Sequence, residues 1–212
     1  VSADGTESEE KNCAISTMEG WAKSEYDPDS RNFRVKVKRV RPDAILPTYA
    51  TTGAAAFDLY AADSGVIQPG HISKIPLGLA FEVPEGHVLI VAMRSGTAFK
   101  TPLRQPNGIG IIDSDYRGEV AMLFDNTDPG DFDDDGYQLF AKEVRTLDGA
   151  EQTWDVGMEF PVGTYLIRKG DRVAQGIIMP LPRVEFMEVD VLSETERGAG
   201  GFGSTGITGD VA

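Results

Sequence analysis

Glycine and proline, 24 and 12 of them, cut the chain into short runs rich in valine and isoleucine. That punctuation points to an all-β architecture. Residues 33–40 alternate apolar and basic side chains as a half-buried strand does, and the folded body begins there. A small-residue strand over 54–62 carries Asp58. After the turn Ile67-Gln68-Pro69-Gly70, strands over 72–75, 79–83 and 88–93 follow at short, even spacing. This cadence belongs to a jelly roll or barrel.

The 212 residues suit one domain with appendages, and a hydrophobic content of 41 % suffices for a packed core. Residues 1–32 are polar and acidic, with room for one short helix at 15–24, and read as a flexible N-terminal extension. The single Cys13 cannot form an internal disulfide, so a reducing compartment is expected. With no apolar run of membrane-spanning length and no secretory leader, the expected location is the cytoplasm, that of a host if the source is viral.

The net charge is −14, yet residues 1–30 hold −6 and residues 125–160 hold −9, which leaves the rest at +1. No basic stripe is present, so binding along a nucleic-acid backbone is not expected, nor is a membrane partner. Local groups of arginine and backbone N–H can still hold an anion.

Several stretches carry candidate chemistry. Residues 107–120 read as a hairpin: Ile109, Ile111 and Ile112 suit one arm, 118–124 the other, and Asp113-Ser114-Asp115 the turn. Asn107, Gly108 and Gly110 offer bare backbone to a flat ligand, Asp113 a general base, and Tyr116 a wall for a ring. A solvated turn is the plainer account of the same residues. Arg94-Ser95-Gly96 ends a strand and opens a short helix, where Ser95 serves either as N-cap or as an anion ligand. For Asp58 a hydrogen-bonded structural role and a functional one stand level. Asp171 beside Arg172 reads as a structural ion pair, and Gln175 lies within a strand. His71 and His87 have no partner at metal-ligand spacing.

Between residues 127 and 162 the cadence breaks. The spacing of Asp131, Asp133, Asp135 and Gly136 is that of the start of a calcium loop, but Lys142 occupies the twelfth position, so a solvated acidic insertion is expected. The tail, 197–212, is a glycine-rich arm with Arg197 at its head and Phe202 between glycines. Such an arm can drape N–H groups over phosphates and lay a ring on a base.

Taken in order, five motifs resemble those of the trimeric deoxyuridine triphosphatase (dUTPase) family. They are Ala55-Ala56-Phe57-Asp58-Leu59-Tyr60, Arg94-Ser95-Gly96, the stretch 110–118, Gly170-Asp171-Arg172-Val173-Ala174-Gln175, and 197–206. Ala56, Met93, Thr97 and Gly176 depart from the usual family residues without removing a chemical group, and the insertion resembles that of some phage members. The resemblance implies a distorted jelly-roll-like β-barrel over 33–196, assembled as a homotrimer with shared sites. It also implies hydrolysis of dUTP to dUMP and pyrophosphate with Mg²⁺, by water that Asp113 deprotonates. Asp58 would hold the metal through water. Arg94, Ser95, Gly96 and Gln175 would face phosphate oxygens, and Arg197, Gly201, Gly203, Ser204 and Thr205 would clamp the terminal phosphate. Tyr116 would pack on the deoxyribose, Asn107 and Gly110 would meet the uracil edge, and Phe202 would stack on the base. A deoxycytidine triphosphate deaminase of the same fold would need a glutamate base where the third motif offers Asp113. A nucleotide-sensing protein that binds a protein partner through the insertion is the reading from another class.

Overall fold

The computed structural model describes residues 34–154 and 157–201. The N-terminal extension with its helix expected at 15–24, and Phe202, Gly203, Ser204 and Thr205 of the arm, lie outside them. The described chain falls into two units, one ending at Leu181 and one starting at Pro182. Each is described by itself.

The first unit is all-β apart from one short helix. In chain order its elements are β1 (Lys36–Arg39), β2 (Phe57–Tyr60), β3 (Gly65–Ile67), β4 (Ile72–Glu82), β5 (His87–Ala92), α1 (Ser95–Lys100), β6 (Leu103–Arg104), β7 (Gly110–Ile112) and β8 (Val120–Asn126). They continue with β9 (Phe140–Ala141), β10 (Glu143–Thr146), β11 (Glu151–Thr153), β12 (Phe160–Pro161), β13 (Tyr165–Ile167) and β14 (Arg172–Pro180). Three four-stranded sheets form, in the orders β1-β4-β8-β6, β11-β10-β13-β3 and β2-β14-β5-β7, with a ribbon of β12 and β9. Each sheet sends one face into a common core: Leu79, Phe81, Met122 and Phe124 from the first, Ile67, Tyr165 and Ile167 from the second, Leu59, Leu89, Val91 and Ala174 from the third. Period-two alternation builds it. In β8 every second residue, from Val120 through Met122 and Phe124 to Asn126, is buried. The architecture is the expected all-β, jelly-roll-like barrel.

Three expectations need correction. The segments 72–75 and 79–83 are one strand, β4, because the Pro-Leu-Gly break between them is absorbed as a bulge: Pro76 pairs with Ala121 and Leu79 with Val120, leaving Leu77 and Gly78 extra. Gly78 takes φ +69° there, against the side chains of Ala44 and Ala62. The expected hairpin at 107–120 is not one. Strand β7 pairs with β5 and β8 pairs with β4, in separate sheets, so the Asp113 turn is a strap between two layers. Each arm carries its own apolar residues for its own sheet, and the pattern within a strand says nothing of which strand it will meet.

Third, the insertion is not merely solvated. Its strand β10 pairs in parallel with β13 and antiparallel with β11, and buries Val144 and Thr146. Asn126, fully buried, joins insertion to core: its amide nitrogen donates to the Ile67 and Gly163 carbonyls, both at 2.9 Å, and its oxygen accepts from Asp128 N–H at 3.1 Å. At the acidic tip the Asp133 carboxylate accepts from the N–H groups of Asp135 and Tyr137 at 3.0 and 2.8 Å, so it caps a turn. Asp148 bonds Thr146 and the guanidinium of Arg168, the latter at 3.0 Å, which ties the insertion to the turn before β14.

The second unit, described as far as Gly201, has no regular strand or helix. Its ordered feature is a turn in which Gly200 N–H donates to the Arg197 carbonyl at 3.1 Å and Arg197 Nε donates to the Gly200 carbonyl at 2.9 Å.

Candidate active site

Three of the five sequence motifs lie in one sheet, β2-β14-β5-β7, and a fourth, Arg94-Ser95-Gly96, follows the end of its strand β5. Opposed residues share a face, and the register sorts the side chains into rows. Phe57, Gly176, Val91 and Gly110 form one row on the core side. Asp58, Gln175 and Ala92 form the next row, on the outer side. Large and small alternate along the inner row. A Cβ on Gly176 would collide with the Phe57 ring, standing 2.6 Å from its Cζ, and one on Gly110 would stand 3.2 Å from Val91 Cβ.

On the outer side the Asp58 carboxylate is bound at both oxygens. Arg94 Nε lies 3.0 Å from Oδ1 and an Arg172 terminal nitrogen 3.2 Å from Oδ2. A carboxylate whose side chain is only 10 % exposed needs such partners. The Gln175 amide donates to the Met93 carbonyl at 3.1 Å, which fixes it beside them. Arg172 is a site residue that sequence reading missed, because its expected partner Asp171 is engaged elsewhere: Asp171 accepts the Arg168 N–H at 2.8 Å and that residue's guanidinium. The Asp171–Arg172 pair expected from adjacency does not form, since neighbours in an extended chain point to opposite faces.

Arg94, with extended dihedrals, is the residue at the N-cap of α1, and Ser95 is the first helical residue. The N-cap reading of Ser95 is therefore wrong. Ser95 and Gly96, directly after Arg94, are exposed.

The strap holds Asp113. Tyr116 N–H donates to the Asp113 carbonyl at 3.2 Å, and the Arg117 guanidinium donates to the carbonyls of Ser114 and Tyr116 at 2.6 and 2.9 Å. The Tyr116 hydroxyl donates to the Glu119 carbonyl at 3.1 Å, which lays the ring over Gly118 so closely that a Cβ there would stand 2.5 Å from the ring carbon bearing the hydroxyl. Glu119 anchors the strap to the other sheet: it accepts from Arg41 Nε at 2.6 Å and from the bulge N–H of Gly78 at 3.0 Å. The Arg41 hydrogen bond holds the Glu119 carboxyl below the usual glutamate range, against the opposing effect of burial. The Asp113 carboxylate itself is exposed and makes no hydrogen bond or ion pair among the described residues. A fixed backbone with a free carboxylate suits a general base.

Asn107 is exposed in the turn Gln105-Pro106-Asn107-Gly108, closed by Gly108 N–H to the Gln105 carbonyl at 3.0 Å. Ile109 N–H donates to the Asn107 carbonyl at 2.7 Å, so part of the backbone expected to be bare is already paired. What stays open is β7, the edge of its sheet, whose far side no described strand covers.

The site residues thus form two groups, Asp58 with Arg94, Arg172 and Gln175, and Asp113 with Tyr116 and the β7 edge. No hydrogen bond or ion pair joins the two groups among the described residues. Arg197 and Gly201 belong to the second unit. Among the described residues no three His, Cys, Asp or Glu side chains gather as a metal cage. With both Asp58 oxygens on guanidinium groups, the residues fit a divalent ion that arrives on phosphate oxygens, not one caged by protein. No helix among the described residues is long and apolar enough to cross a membrane.

A family model described as dUTPase matches residues 42–142 and 163–206, leaving out most of the insertion. The deoxyuridine 5'-triphosphate nucleotidohydrolase of Nautilia profundicola is 37 % identical over 174 residues, covering 82 % of this chain and 99 % of that protein. Among solved structures, Staphylococcus bacteriophage 80alpha dUTPase with dUPNHPP aligns with a TM-score of 0.73 at 30 % identity, over 82 % of this chain and 99 % of that one. A mutant dUTPase of S. aureus phage phi11, solved for the coordination of a structural Mg(II) ion, aligns with a TM-score of 0.68 at 25 % identity, over 76 % and 99 %.

Proposed function

The chain belongs to the dUTPase family, and from that premise we propose that it hydrolyses dUTP to dUMP and pyrophosphate, supplying dUMP and keeping uracil out of DNA. The observation that carries the assignment of roles is the pairing of a fixed strap with a free Asp113 carboxylate. Asp113 takes a proton from the water that attacks the α-phosphorus. Ser95, the Gly96 backbone, Gln175 and Arg94 bind phosphate oxygens as charge moves toward the leaving pyrophosphate. Magnesium, where it arrives on the triphosphate, would supply charge neutralisation there, and Asp58 would hold it through water.

Tyr116, laid over Gly118, presents its ring to the deoxyribose and leaves no room for a 2′-hydroxyl. Asn107 and the open edge of β7 at Gly110 pair with uracil. Discrimination against cytosine then follows from donor and acceptor mismatch, which is stronger than shape alone. Arg197, Gly201, Phe202, Gly203, Ser204 and Thr205 are assigned to the terminal phosphate and base by their match to the family's fifth motif. A homotrimer with shared active sites, typical of the family, is part of this reading.

The test is pyrophosphate release from dUTP, dCTP, dTTP and UTP with Mg²⁺, for the unaltered protein and Asp113→Asn. Release from dUTP alone, reduced about a hundredfold or more in the variant, is expected. Binding of dUTP without hydrolysis by the unaltered protein would overturn the catalytic reading.

The insertion exposes Phe132, Tyr137 and Phe140, at 54, 72 and 55 %. Apolar rings in an acidic segment favour a second role in binding a protein partner. Excision of the insertion is a poor test, because β10 is paired with β13. Serine at the three ring positions should abolish partner binding and leave hydrolysis intact; loss of both would sink a separate role.

A further inference from the structure

Arg41 stands in the loop after β1, and both its backbone and its side chain end on the anchor of the strap. The Arg41 N–H reaches the Gly78 carbonyl at 3.4 Å, and the Gly78 N–H, freed from the ladder by the bulge, donates to the Glu119 carboxylate at 3.0 Å. The Arg41 guanidinium grips the same carboxylate by both oxygens, Nε on Oε1 at 2.6 Å and Nη2 on Oε2 at 3.3 Å. Three residues thus close a ring. An isolated exposed ion pair contributes little, but here a planar fork and a backbone donor fix one carboxylate together.

The same guanidinium also faces the other way. Its Nη1 pairs with Asp63, in the link between β2 and β3. Two residues after Arg41, Asp43 pairs with Lys169, just ahead of β14. The Ala44 N–H donates to the Arg41 carbonyl at 3.1 Å, so residues 41–44 form one turn. That turn is fastened to the strap on one side and to the ends of β2 and β14 on the other. These elements carry the two groups of site residues that share no bond of their own.

Along the strap the hold passes onward. Glu119 gives its carboxylate to Arg41 and its carbonyl to the Tyr116 hydroxyl, at 3.1 Å. Tyr116 in turn closes on the Asp113 carbonyl through its N–H, at 3.2 Å. We propose that Arg41 is a positioning residue for the reaction: it locks the strap to the layer of β2 and β14, and so sets where the Tyr116 ring and the Asp113 carboxylate stand. The inference rests on the reading of Tyr116 as the sugar wall and Asp113 as the base.

The test pairs amide hydrogen exchange with kinetics on dUTP and UTP, for the unaltered protein, Arg41→Gln and Arg41→Lys. In Arg41→Gln, exchange over 113–119 should quicken about tenfold, as loss of a hydrogen bond to a charged group allows, while 120–126 in β8 keeps its protection. The kcat/KM for dUTP should fall about 5- to 30-fold, and its ratio to that for UTP should narrow severalfold. Arg41→Lys keeps the charge without the fork and should fall between. Unchanged exchange over 113–119 would overturn the proposal. An equal rise over 120–126 with an unchanged dUTP to UTP ratio would overturn it too, by showing a merely structural role, since partial unfolding lowers both rates alike. If Arg41→Gln does not fold, the lysine variant decides by the same comparisons. Tyr116→Ala separates this inference from the reading beneath it. Should that variant keep the dUTP to UTP ratio, the sugar wall fails, and exchange over 113–119 still decides whether Arg41 holds the strap. Should it change the ratio while Arg41→Gln does not, the proposal falls and the reading stands.

Discussion

The ring of Phe57 lies on the bare Cα of Gly176, one strand away in the sheet that carries the site. The two residues behave as one volume. Gly176→Val alone should destabilise the fold by about 1–3 kcal/mol, because the ring has to leave its place in a packed core. Combined with Phe57→Ala, the same substitution should cost less than the sum of the two single changes, by about 1 kcal/mol or more. Urea unfolding of the four proteins completes the cycle, and simple additivity would show that the contact carries no energy.

Gly118→Ala should act on the nucleotide through Tyr116. A methyl at 118 displaces the ring and breaks its hydroxyl bond to Glu119. A drop of about 5- to 30-fold in kcat/KM for dUTP is expected, equivalent to roughly 1–2 kcal/mol. Discrimination against UTP should narrow at the same time. Steady-state kinetics on both nucleotides check it, and an unchanged dUTP to UTP ratio would remove Tyr116 from sugar selection.

Glu119 makes stability depend on pH. Its carboxyl titrates lower in the folded chain than in the unfolded one, chiefly through the Arg41 hydrogen bond. The contribution is complete above the ordinary glutamate range, about pH 4.5, and is lost as pH falls through the depressed folded value. Glu119→Gln should lower the urea midpoint at pH 7 and flatten its decline below pH 4.5. Parallel curves for the two proteins would assign acid sensitivity to other groups.

Asn126→Ala leaves the carbonyls of Ile67 and Gly163 and the Asp128 N–H without their partner. A loss of about 2–3 kcal/mol is expected. For a chain of this size that is a fall of roughly 4–12 °C in Tm. Scanning calorimetry measures it, and a shift under 1 °C would mean that water replaces the amide.

The tie between Asp148 and Arg168 lies at the surface, with side chains 56 and 37 % exposed. Asp148→Asn should cost only about 0.2–1 kcal/mol at low ionic strength. The difference should shrink toward zero in 1 M salt. A cost that survives high salt would show that the hydrogen bonds to Thr146 and Ala150, not the ion pair, secure the insertion.

Much of the fold was legible because β-strands write their burial into alternate residues. The strands near 36–39, 57–60 and 88–92, and the helix after Arg94, could be placed from that period and from turn residues alone. Pairing could not. The alternation of β7 and β8 is as compatible with a hairpin as with membership of two sheets, and only the competition of β5 and β4 for their edges decides. The bulges were hidden for a related reason. At Gly78 the Pro-Leu-Gly sequence suggests a break, while in β14 nothing in the sequence marks Val173, the extra residue between the pairs Arg172–Tyr60 and Ala174–Leu59, so Arg172 was assigned to its neighbour Asp171. In the site, Asp58 and Asp113 are candidates by residue type with plainer structural accounts beside them, and Gln175 is a candidate only through the family resemblance, whereas Arg41 and Glu119, which fix the strap from 78 positions apart in the chain, leave no local trace.

The strap joining β7 to β8 has a consequence for the core beneath it. One end is fastened to the layer of Leu89 and the other to the layer of Phe124, both fully buried. The gap between those layers is set by side chains that never touch a nucleotide, and they act as shims under the Asp113 carboxylate. Trimming one of them should shift the Asp113 carboxylate as well as weaken the fold. On the reading of Asp113 as the base, turnover would then be a ruler for the thickness of the interior.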